Sequence, residues 1–436
     1  MRRICLTLPT NRECAATVAA IGAEAAWAAA HFDVEVHLLV LDSADADARA
    51  GHAAALAALP RTERVVPHHL DEDAQRAFLA AAIERAGLAK PDHLLELMLP
   101  DGCSYGACTN RAFLIAAALG CTSVHRRDSD SDYQELDGEP VFPIKHELAT
   151  LGRPAAEAAA EVTETTLDPA LADRPVSLVG ATFIGELSVD IGEIEQLDPE
   201  VYHEVVSLWA PAEWGPQEVD MLVAESFRGG GTEPFTADRS VLDVPDMWRL
   251  DMCNISFDHE VYHRVPLPPA KDTIGSDYFL LHVVFDAALP GVVHNRHIVN
   301  YYTGERRTDE GFQVYQERYA KFVLSMLYLH HVYGRMAELG GQLLDERHRV
   351  RPELLVGVVR ESLALDRAPN LERLARLDAA YRKLGGRYAA FADRLAERAP
   401  RLLDEAQADT EDFALLTEVW GPLVAAAREL GLPDAP

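Results

Sequence analysis

Three aspartates, Asp128, Asp130 and Asp132, stand at every second position directly after a short predicted strand. Three carboxylates this close repel one another unless a cation lies among them. Hard oxygen ligands suit Mg²⁺ or Mn²⁺, and such ions usually share their coordination sphere with the phosphates of a substrate. The run therefore predicts a divalent-metal site that binds a phosphorylated ligand, with a solvated acidic turn as the alternative.

A second group of possible ligands is formed by His294 and His297, with Arg296 between them. Histidine is the commonest metal ligand in proteins. Residues three apart point to opposite faces of a regular strand, so both imidazoles reach one metal only if the strand bends. Either histidine is therefore a candidate ligand, with His294 ranked first, and the alternative is a structural histidine in a strand.

Two further side chains are candidates for binding or catalysis. Asp277 follows Ser276 at the predicted start of a helix, where the helix dipole favours the ionised carboxylate. An ionised carboxylate suits a general base that accepts a hydroxyl proton, although an ordinary acid in a first helical turn has the same pattern. Arg111 follows a loop containing Gly106, and a guanidinium matches phosphate geometry. Its alternative is an exposed arginine in a first helical turn.

The charge of the whole chain limits its partners. The formal net charge is −30 at pH 7, which argues against nucleic acids and anionic membranes. A nucleotide substrate stays possible, because one metal ion and a few arginines reverse the sign inside a pocket. The six cysteines include no CxxC pair, no signal-peptide pattern is present, and no apolar run is long enough for a membrane span. We therefore expect a cytoplasmic protein.

Strands and helices alternate along the first part of the chain, which is typical of a parallel α/β sheet with ligands at the carboxyl ends of its strands. Such a sheet would bring Asn11, Asp42 and Asp128 to one crevice. The predicted elements are strands at 4–8, 34–41 and 65–69, and helices at 13–31, 45–59, 72–88 and 110–119.

The rest of the chain changes character near residue 308. Before this point the pattern predicts further strands and one helix, and after it only amphipathic helices. We therefore predict two domains, 1–307 and 308–436, the second supporting the acceptor side or forming a homodimer. The predicted strands are 176–187, 218–223 and 292–302, and the predicted helices are 277–289, 312–344, 352–365, 371–395 and 412–430.

These segments together resemble the GT-A class of nucleotide-sugar glycosyltransferases. Asp128-Ser129-Asp130 is similar to the DxD motif of that family, and Tyr105 to Phe113 resembles the loop and helix that pass over the donor diphosphate. Ser276 to Phe279 opens a helix in the manner of the family's acceptor-side acidic motif. The resemblance implies a Rossmann-type mixed sheet with flanking helices, followed here by the helical C-terminal region.

The resemblance also implies an activity: transfer of a sugar from a UDP- or GDP-linked donor to a small-molecule or peptide acceptor, dependent on Mn²⁺ or Mg²⁺. It implies that the metal is held by Asp130, with a strand histidine as a further ligand. The other implied roles are base and ribose binding by Pro9, Asn11 and Asp42, a ribose or metal-bound-water contact by Asp128, a diphosphate contact by Arg111, and acceptor-side catalysis by Asp277.

The strand before the acidic run departs from the family pattern, because it carries His125, Arg126 and Arg127 where apolar residues are usual. These cations either offset the charge of bound phosphates or neutralise the aspartates, and neutralisation would remove the metal site. The triplet that starts at Asp130 and ends at Asp132 is an equally valid motif. The alternative functions are a nucleotidyltransferase or a nucleotide-sugar mutase on the same fold, and a non-catalytic scaffold.

Overall fold

A mixed sheet of nine strands forms the centre of the computed structural model, which describes residues 1–187 and 191–432. A three-stranded sheet and a two-stranded hairpin accompany it within these residues. The strands are β1 (Arg2–Thr10), β2 (Val34–Asp42), β3 (Val65–Asp71), β4 (Ser123–Arg127), β5 (Ser131–Tyr133), β6 (Glu135–Leu136), β7 (Glu139–Pro140), β8 (Glu164–Thr165), β9 (Leu178–Gly180), β10 (Phe183–Gly185), β11 (Ser240–Asp243), β12 (Asn254–Asp258), β13 (Gly291–His294) and β14 (Ile298–Asn300).

The direction of the strands defines one edge of the large sheet, which we call the carboxyl edge. The order is β3-β2-β1-β4-β12-β9-β13-β11-β8. The first four strands in this order run parallel, so their carboxyl ends lie together. Strand β12 runs antiparallel to both β4 and β9, and β13 runs parallel to β9. The carboxyl end of β13 therefore also lies at the carboxyl edge.

Helices flank this sheet, and the described part of the chain after residue 308 consists of helices and their short connections, so the predicted α/β fold with a helical C-terminal region is confirmed. None of the helices in the described residues is long and apolar enough to cross a membrane. They are α1 (Ala15–His31), α2 (Ala46–Ala58), α3 (Glu72–Ala86), α4 (Pro91–Met98), α5 (Tyr105–Ala118), α6 (Ile144–Thr150), α7 (Ala155–Ala158), α8 (Gly192–Leu197), α9 (Pro199–Ser207), α10 (Pro216–Glu225), α11 (His259–Tyr262), α12 (Phe279–Asp286), α13 (Asp309–Leu339), α14 (Pro352–Ser362), α15 (Ala368–Leu384) and α16 (Gly386–Leu430).

Several sequence-predicted elements differ from the structure. The segment 218–223, predicted as a strand, is part of helix α10, because Pro216 opens a helix there and the Glu218 carboxylate accepts the backbone N–H of Gly215. The strands predicted at 176–187 and 292–302 are each two strands in two different sheets. The helix predicted at 371–395 ends at Leu384, where Gly385 and Gly386 take positive φ values.

The C-terminal helices share a hydrophobic core with the sheet. Phe413 of α16 packs edge-on against Phe279 of α12 at 4.7 Å between ring centroids. The indole of Trp420, fully buried, donates to the carbonyl of Tyr262 at 2.8 Å. The boundary we propose between 307 and 308 thus separates two parts of the sequence that pack on one another.

A loop that crosses the start of helix α5 is held to it by side-chain hydrogen bonds. Asn110 donates to the carbonyl of Leu267 and accepts from its N–H, both at 2.8 Å. Ser104, which also caps α5, lies within hydrogen-bond distance of the carbonyls of Pro269 and Ala270. The loop 266–274 therefore has a fixed position over this end of α5.

Gly106 makes this close crossing possible, and we expect Gly106→Ala to destabilise the protein by roughly 1–3 kcal/mol. A Cβ at this position would lie 1.9 Å from the carbonyl oxygen of Pro268. Chemical denaturation measures the effect. Gly51→Ala in α2 is the matched control, because its Cβ would meet nothing closer than 4.0 Å and should stabilise by about 0.5–1 kcal/mol. Equal effects of the two substitutions would contradict the prediction.

Candidate functional site

Four of the predicted site residues lie at or beside the carboxyl edge. Asp42 is the last residue of β2, Asp128 directly follows β4, and the exposed Asn11 follows β1. Pro9 lies in β1, in register with Leu41 of β2. The parallel order of the strands is what brings together residues more than 100 positions apart in the chain.

The carboxylate of Asp130 is held by two arginines from distant parts of the chain. Arg12 Nη1 donates to Asp130 Oδ2 at 2.7 Å, and Arg306 Nη2 donates to the same oxygen at 2.8 Å. Asp130 itself is buried, with 8% of its surface exposed. Two charge-assisted hydrogen bonds to one oxygen hold the carboxylate in a fixed orientation.

Arg126 joins the two other candidate carboxylates. Its Nη2 lies 3.0 Å from Asp128 Oδ1, and its Nη1 donates to Asp277 Oδ2 at 2.9 Å. Nη1 also donates to the carbonyl of Met252, whereas the buried Nε has no hydrogen-bond partner among the described residues. Asp128 and Asp277 therefore lie on the two sides of one buried guanidinium.

More carboxylates than guanidinium groups meet in this region. Burial raises the pKa of Asp128 to about 6, Arg126 opposes the rise, and the nearby Asp130, Asp251 and Asp277 add to it. Burial likewise raises the pKa of Asp277, with Arg126 opposing and Asp251 adding to the rise. The helix-dipole argument from the sequence predicts a lower pKa, so burial outweighs any dipole effect at Asp277.

Arg127 does not contribute to the crevice, since its side chain points into the interior. It donates to both carboxylate oxygens of Glu24, at 2.8 and 3.1 Å, and to Glu147 at 3.1 Å. His125 is bonded to the same Glu147 at 2.7 Å. Of the three basic residues before the acidic run, only Arg126 therefore contacts a predicted site aspartate.

The structure does not bring His294 or His297 to Asp130. His294 ends β13, three strands away from β4, which is about 14 Å at the usual strand spacing. It is buried and stacks on His146, with 5.2 Å between ring centroids. His297 lies in the turn between β13 and β14, and its Nδ1 accepts the N–H of Thr182.

The break between β13 and β14 separates the two histidines from the acidic run. The backbone N–H of Tyr301 donates to the carbonyl of Asp130. His297 lies four residues before Tyr301, which is a distance of about 13 Å along an extended chain. The prediction that a strand histidine shares a metal with Asp130 is thus not supported by this geometry.

Asp42 belongs to a hydrogen-bonded cluster with two histidines that were not singled out from the sequence. His52 Nδ1 and His69 Nε2 each lie 2.7 Å from Asp42 Oδ2, and the N–H of Ala44 donates to Oδ1. Burial raises the pKa of Asp42, but the hydrogen bonds from His69 and His52 outweigh it, so the pKa lies below its usual value. The carboxylate stays ionised and has its oxygens satisfied by the protein.

This cluster is the one group of three His, Cys, Asp or Glu side chains in the described residues whose possible ligand atoms lie within 4.8 Å of one another. His52 Nε2 accepts the N–H of Cys14 at 3.0 Å, which assigns the ring proton to Nδ1 and its bond to Asp42. A metal at Asp42 would need the Nδ1 lone pair. The contacts therefore fit a hydrogen-bonded network rather than a metal site.

Arg111 is also held inside the protein. Its Nε donates to Gln75 at 2.7 Å and its Nη1 to the carbonyl of Met98 at 2.6 Å. Burial lowers the pKa of this guanidinium. Two of its donors thus bind α3 and the end of α4. Arg111 therefore holds α5 against these helices and does not lie on an exposed face.

Among the described residues, the side chains in this region that suit a divalent cation are carboxylates. Asp128 and Asp130 offer hard ligands. The carboxylates of Asp128, Asp130 and Asp277 pair with the guanidinium groups of Arg12, Arg126 and Arg306, and the carboxylate of Asp251 lies near Asp128 and Asp277. One negative charge is thus in excess among these seven side chains. A cation would offset this excess, whereas imidazole ligands do not take part.

The sequence analysis did not assign the arginines that hold Asp130 or the carboxylate of Asp251. Arg12 directly follows the candidate residue Asn11, but neither its position nor that of Arg306 indicates a shared partner 118 and 176 positions away. Asp251 accepts from the hydroxyl of Tyr278, next to Asp277. A tertiary contact of this kind leaves no local pattern in a single sequence.

Comparison with solved structures found distant likenesses. Glucosyl-3-phosphoglycerate synthase from Mycobacterium tuberculosis, in complex with Mn²⁺, UDP and glucosyl-3-phosphoglycerate, is 17% identical, with a TM-score of 0.34 over 73% of this chain and 78% of that one. The mannosyltransferase PcManGT from Pyrobaculum calidifontis, in complex with GDP-Man and Mn²⁺, is 14% identical, with a TM-score of 0.35 over 100% of this chain and 89% of that one. Likenesses at this level assign no activity.

The sequence itself leads to a family without an assigned activity. No curated protein matches it. A family model described as "Family of unknown function (DUF6271)" matches residues 2–436, which is the chain from its second residue to its last, including every side chain of the crevice. The chain therefore belongs to the DUF6271 family.

Proposed function

We propose that this protein is a glycosyltransferase that uses a nucleoside-diphosphate sugar as donor and binds it in the crevice at the carboxyl edge. The observation that carries the proposal is the pairing of carboxylates and guanidinium groups around Asp130 and Arg126, where four parallel strands end. Ligands of α/β sheets bind in this position, outside the carboxyl ends of the strands.

Charge balance supports a diphosphate together with a divalent cation. Among the described side chains named above, four carboxylates and three guanidinium groups leave one negative charge in excess. A nucleoside-diphosphate sugar adds about two more, which a buried site does not accept without further positive charge. Asp128 and Asp130 would hold Mn²⁺ or Mg²⁺, which would stabilise the charge that develops on the leaving diphosphate.

The remaining residues have roles that their own contacts support. Arg12 and Arg306 lie on Asp130 and are the guanidinium groups best placed to reach phosphate oxygens beside it. Asp277, with a raised pKa, is our proposed base for the acceptor hydroxyl, since a pKa closer to neutrality suits proton transfer. Asp42 and its histidines form the proposed floor of the base and ribose site.

The test is calorimetric titration of the full chain with UDP and GDP, with and without Mn²⁺, followed by product analysis with the matching nucleotide sugars. We expect one nucleotide to bind at least tenfold more tightly when Mn²⁺ is present, and the sugar to be released from its diphosphate. Use of a nucleoside triphosphate with a sugar phosphate would instead indicate a nucleotidyltransferase. An isomerised donor would indicate a mutase, and absence of nucleotide binding would indicate a scaffold.

A further inference from the structure

A cavity of about 320 Å³ lies directly beside the proposed donor crevice. Arg306 lines the cavity and also donates to Asp130, so one side chain separates the two. The walls come from the turn before α13, from α13 itself, from α8 and from the start of α16. Its volume lies within the range of small-molecule sites.

Three guanidinium groups converge on this cavity, in a chain whose net charge is −30. They belong to Arg306, Arg307 and Arg387. Glu193 is the one carboxylate among the described residues that line the cavity. Arg307 is paired with Glu186 at 2.6 Å, and Arg387 is paired with Glu193. Arg387 uses one nitrogen, Nη2, for that pair, which leaves further N–H donors for a ligand.

Aromatic rings orient these guanidinium groups. The Arg387 Cζ lies 4.1 Å from the centroid of the Phe312 ring, and those of Arg306 and Arg307 lie 5.7 and 4.9 Å from that of Tyr302. Stacking on a ring fixes the plane of a guanidinium and keeps its N–H edge available for a carboxylate or phosphate. Such a surface is suited to a small molecule that carries a carboxylate or phosphate group.

We propose that this cavity binds a small organic oxyanion, a carboxylate or a phosphate ester, and that this molecule is the sugar acceptor. The acceptor role rests on the proposed glycosyltransferase function, whereas the anion site stands on its own geometry. Arg306 then lies between the two substrates. Gln196, which also lines the cavity, offers an amide group to the hydroxyls that an acceptor needs, whereas the amide oxygen of Gln316 accepts the hydroxyl of Tyr381.

The experiment is calorimetric titration of the full chain with phenyl phosphate, benzoate and, as a neutral probe of similar shape, benzyl alcohol. We expect phenyl phosphate or benzoate to bind at one site and benzyl alcohol not to bind. Arg387→Gln and Arg307→Gln should each weaken binding of that anion at least tenfold, since each removes a charge-assisted hydrogen bond. The identity of the tighter anion distinguishes a phosphate ester from a carboxylate.

The matched control is Arg382→Gln, which removes an arginine of similar exposure that pairs with Asp378 and Asp393 outside the cavity. This variant should bind the anion like wild type. Anion binding that is absent from the wild type, or unchanged in both cavity variants, would overturn the inference. UDP or GDP affinity should stay at the wild-type value in Arg387→Gln, and its loss there would overturn the separation of the two sites.

The experiment distinguishes a failure of the proposed glycosyltransferase function from a failure of the anion site. Anion binding that depends on Arg387 and Arg307, in a wild type that binds neither UDP nor GDP, would overturn the glycosyltransferase proposal and the acceptor role. It would support the anion site itself.

Discussion

Replacement of Arg127 by methionine is expected to reduce the free energy of unfolding by about 3–5 kcal/mol. The Arg127 side chain is 1% exposed, and its guanidinium lies between the fully buried carboxylates of Glu24 and Glu147. Methionine keeps much of the apolar volume but leaves both carboxylates without their cation. Chemical denaturation measures this loss. An unchanged m-value would show that the substitution changes the free energy of unfolding and not the compactness of the denatured state.

The pH dependence of this loss has a definite sign. In the wild type, burial raises the pKa of Glu147, but Arg127 and His125 outweigh it and lower the pKa below its usual value. Ionised Glu147 therefore stabilises the fold above its unfolded pKa, and this contribution is lost as the pH falls through the folded pKa. Without Arg127 the buried carboxyl would instead have a raised pKa, so the variant should lose more stability at pH 8 than at pH 5.

Arg3→Met on the neighbouring strand β1 is the control for this prediction. Arg3 pairs with Glu35 at 2.9 Å, but its side chain is 56% exposed. An exposed ion pair contributes about 0–1 kcal/mol. A cost at Arg127 as small as that at Arg3 would show that the buried network does not depend on its arginine.

The parts of the fold that the sequence predicted are those with a local cause. Buried strands such as β2 and Ala-rich helices such as α1 each have a hydrophobic pattern that is sufficient for its own assignment. Once these elements are known to be parallel, the meeting of Asn11, Asp42 and Asp128 at one edge follows from topology.

The parts that the sequence did not predict depend on contacts between distant segments. Asp130 is held by arginines 118 and 176 positions away, whereas Arg127, three residues before it, points into the interior. The segment 292–302 reads as one strand, but the turn at Asn295 to His297 passes it to a second sheet. The register of a strand and the partner of a charge are tertiary properties, which a single sequence does not specify.

The metal ligands expected from the sequence also differ from those that the structure offers. From the sequence, residue type and the occurrence of two histidines and an arginine within four residues made His294 and His297 good candidates. In the structure, the Nδ1 of His294 accepts the N–H of Arg296 and the ring stacks on His146. The candidate ligands at the proposed cation position are carboxylates, which are the ligand class that Mg²⁺ and Mn²⁺ prefer.

Replacement of Asp130 by asparagine is expected to remove the Mn²⁺-dependent part of UDP or GDP affinity, a loss of about 100-fold, equivalent to about 2.7 kcal/mol. Asparagine keeps the shape of the side chain but removes the charge that a cation requires. It also replaces the carboxylate oxygen to which Arg12 and Arg306 donate at 2.7 and 2.8 Å. Titration of the nucleotide with and without Mn²⁺ would separate the loss of metal binding from any change in direct phosphate contacts.

Two control variants decide between the possible metal ligands. Asp132→Asn changes an exposed aspartate two residues further on, whose oxygen accepts the N–H of Tyr133, and it should leave the Mn²⁺ effect intact. His294→Gln should also leave it intact, because the imidazole lies three strands away from β4. Loss of the Mn²⁺ effect in His294→Gln with retention in Asp130→Asn would reverse this assignment. Since the charge excess belongs to Asp130 and its neighbours, the cation should follow the carboxylates rather than the imidazole.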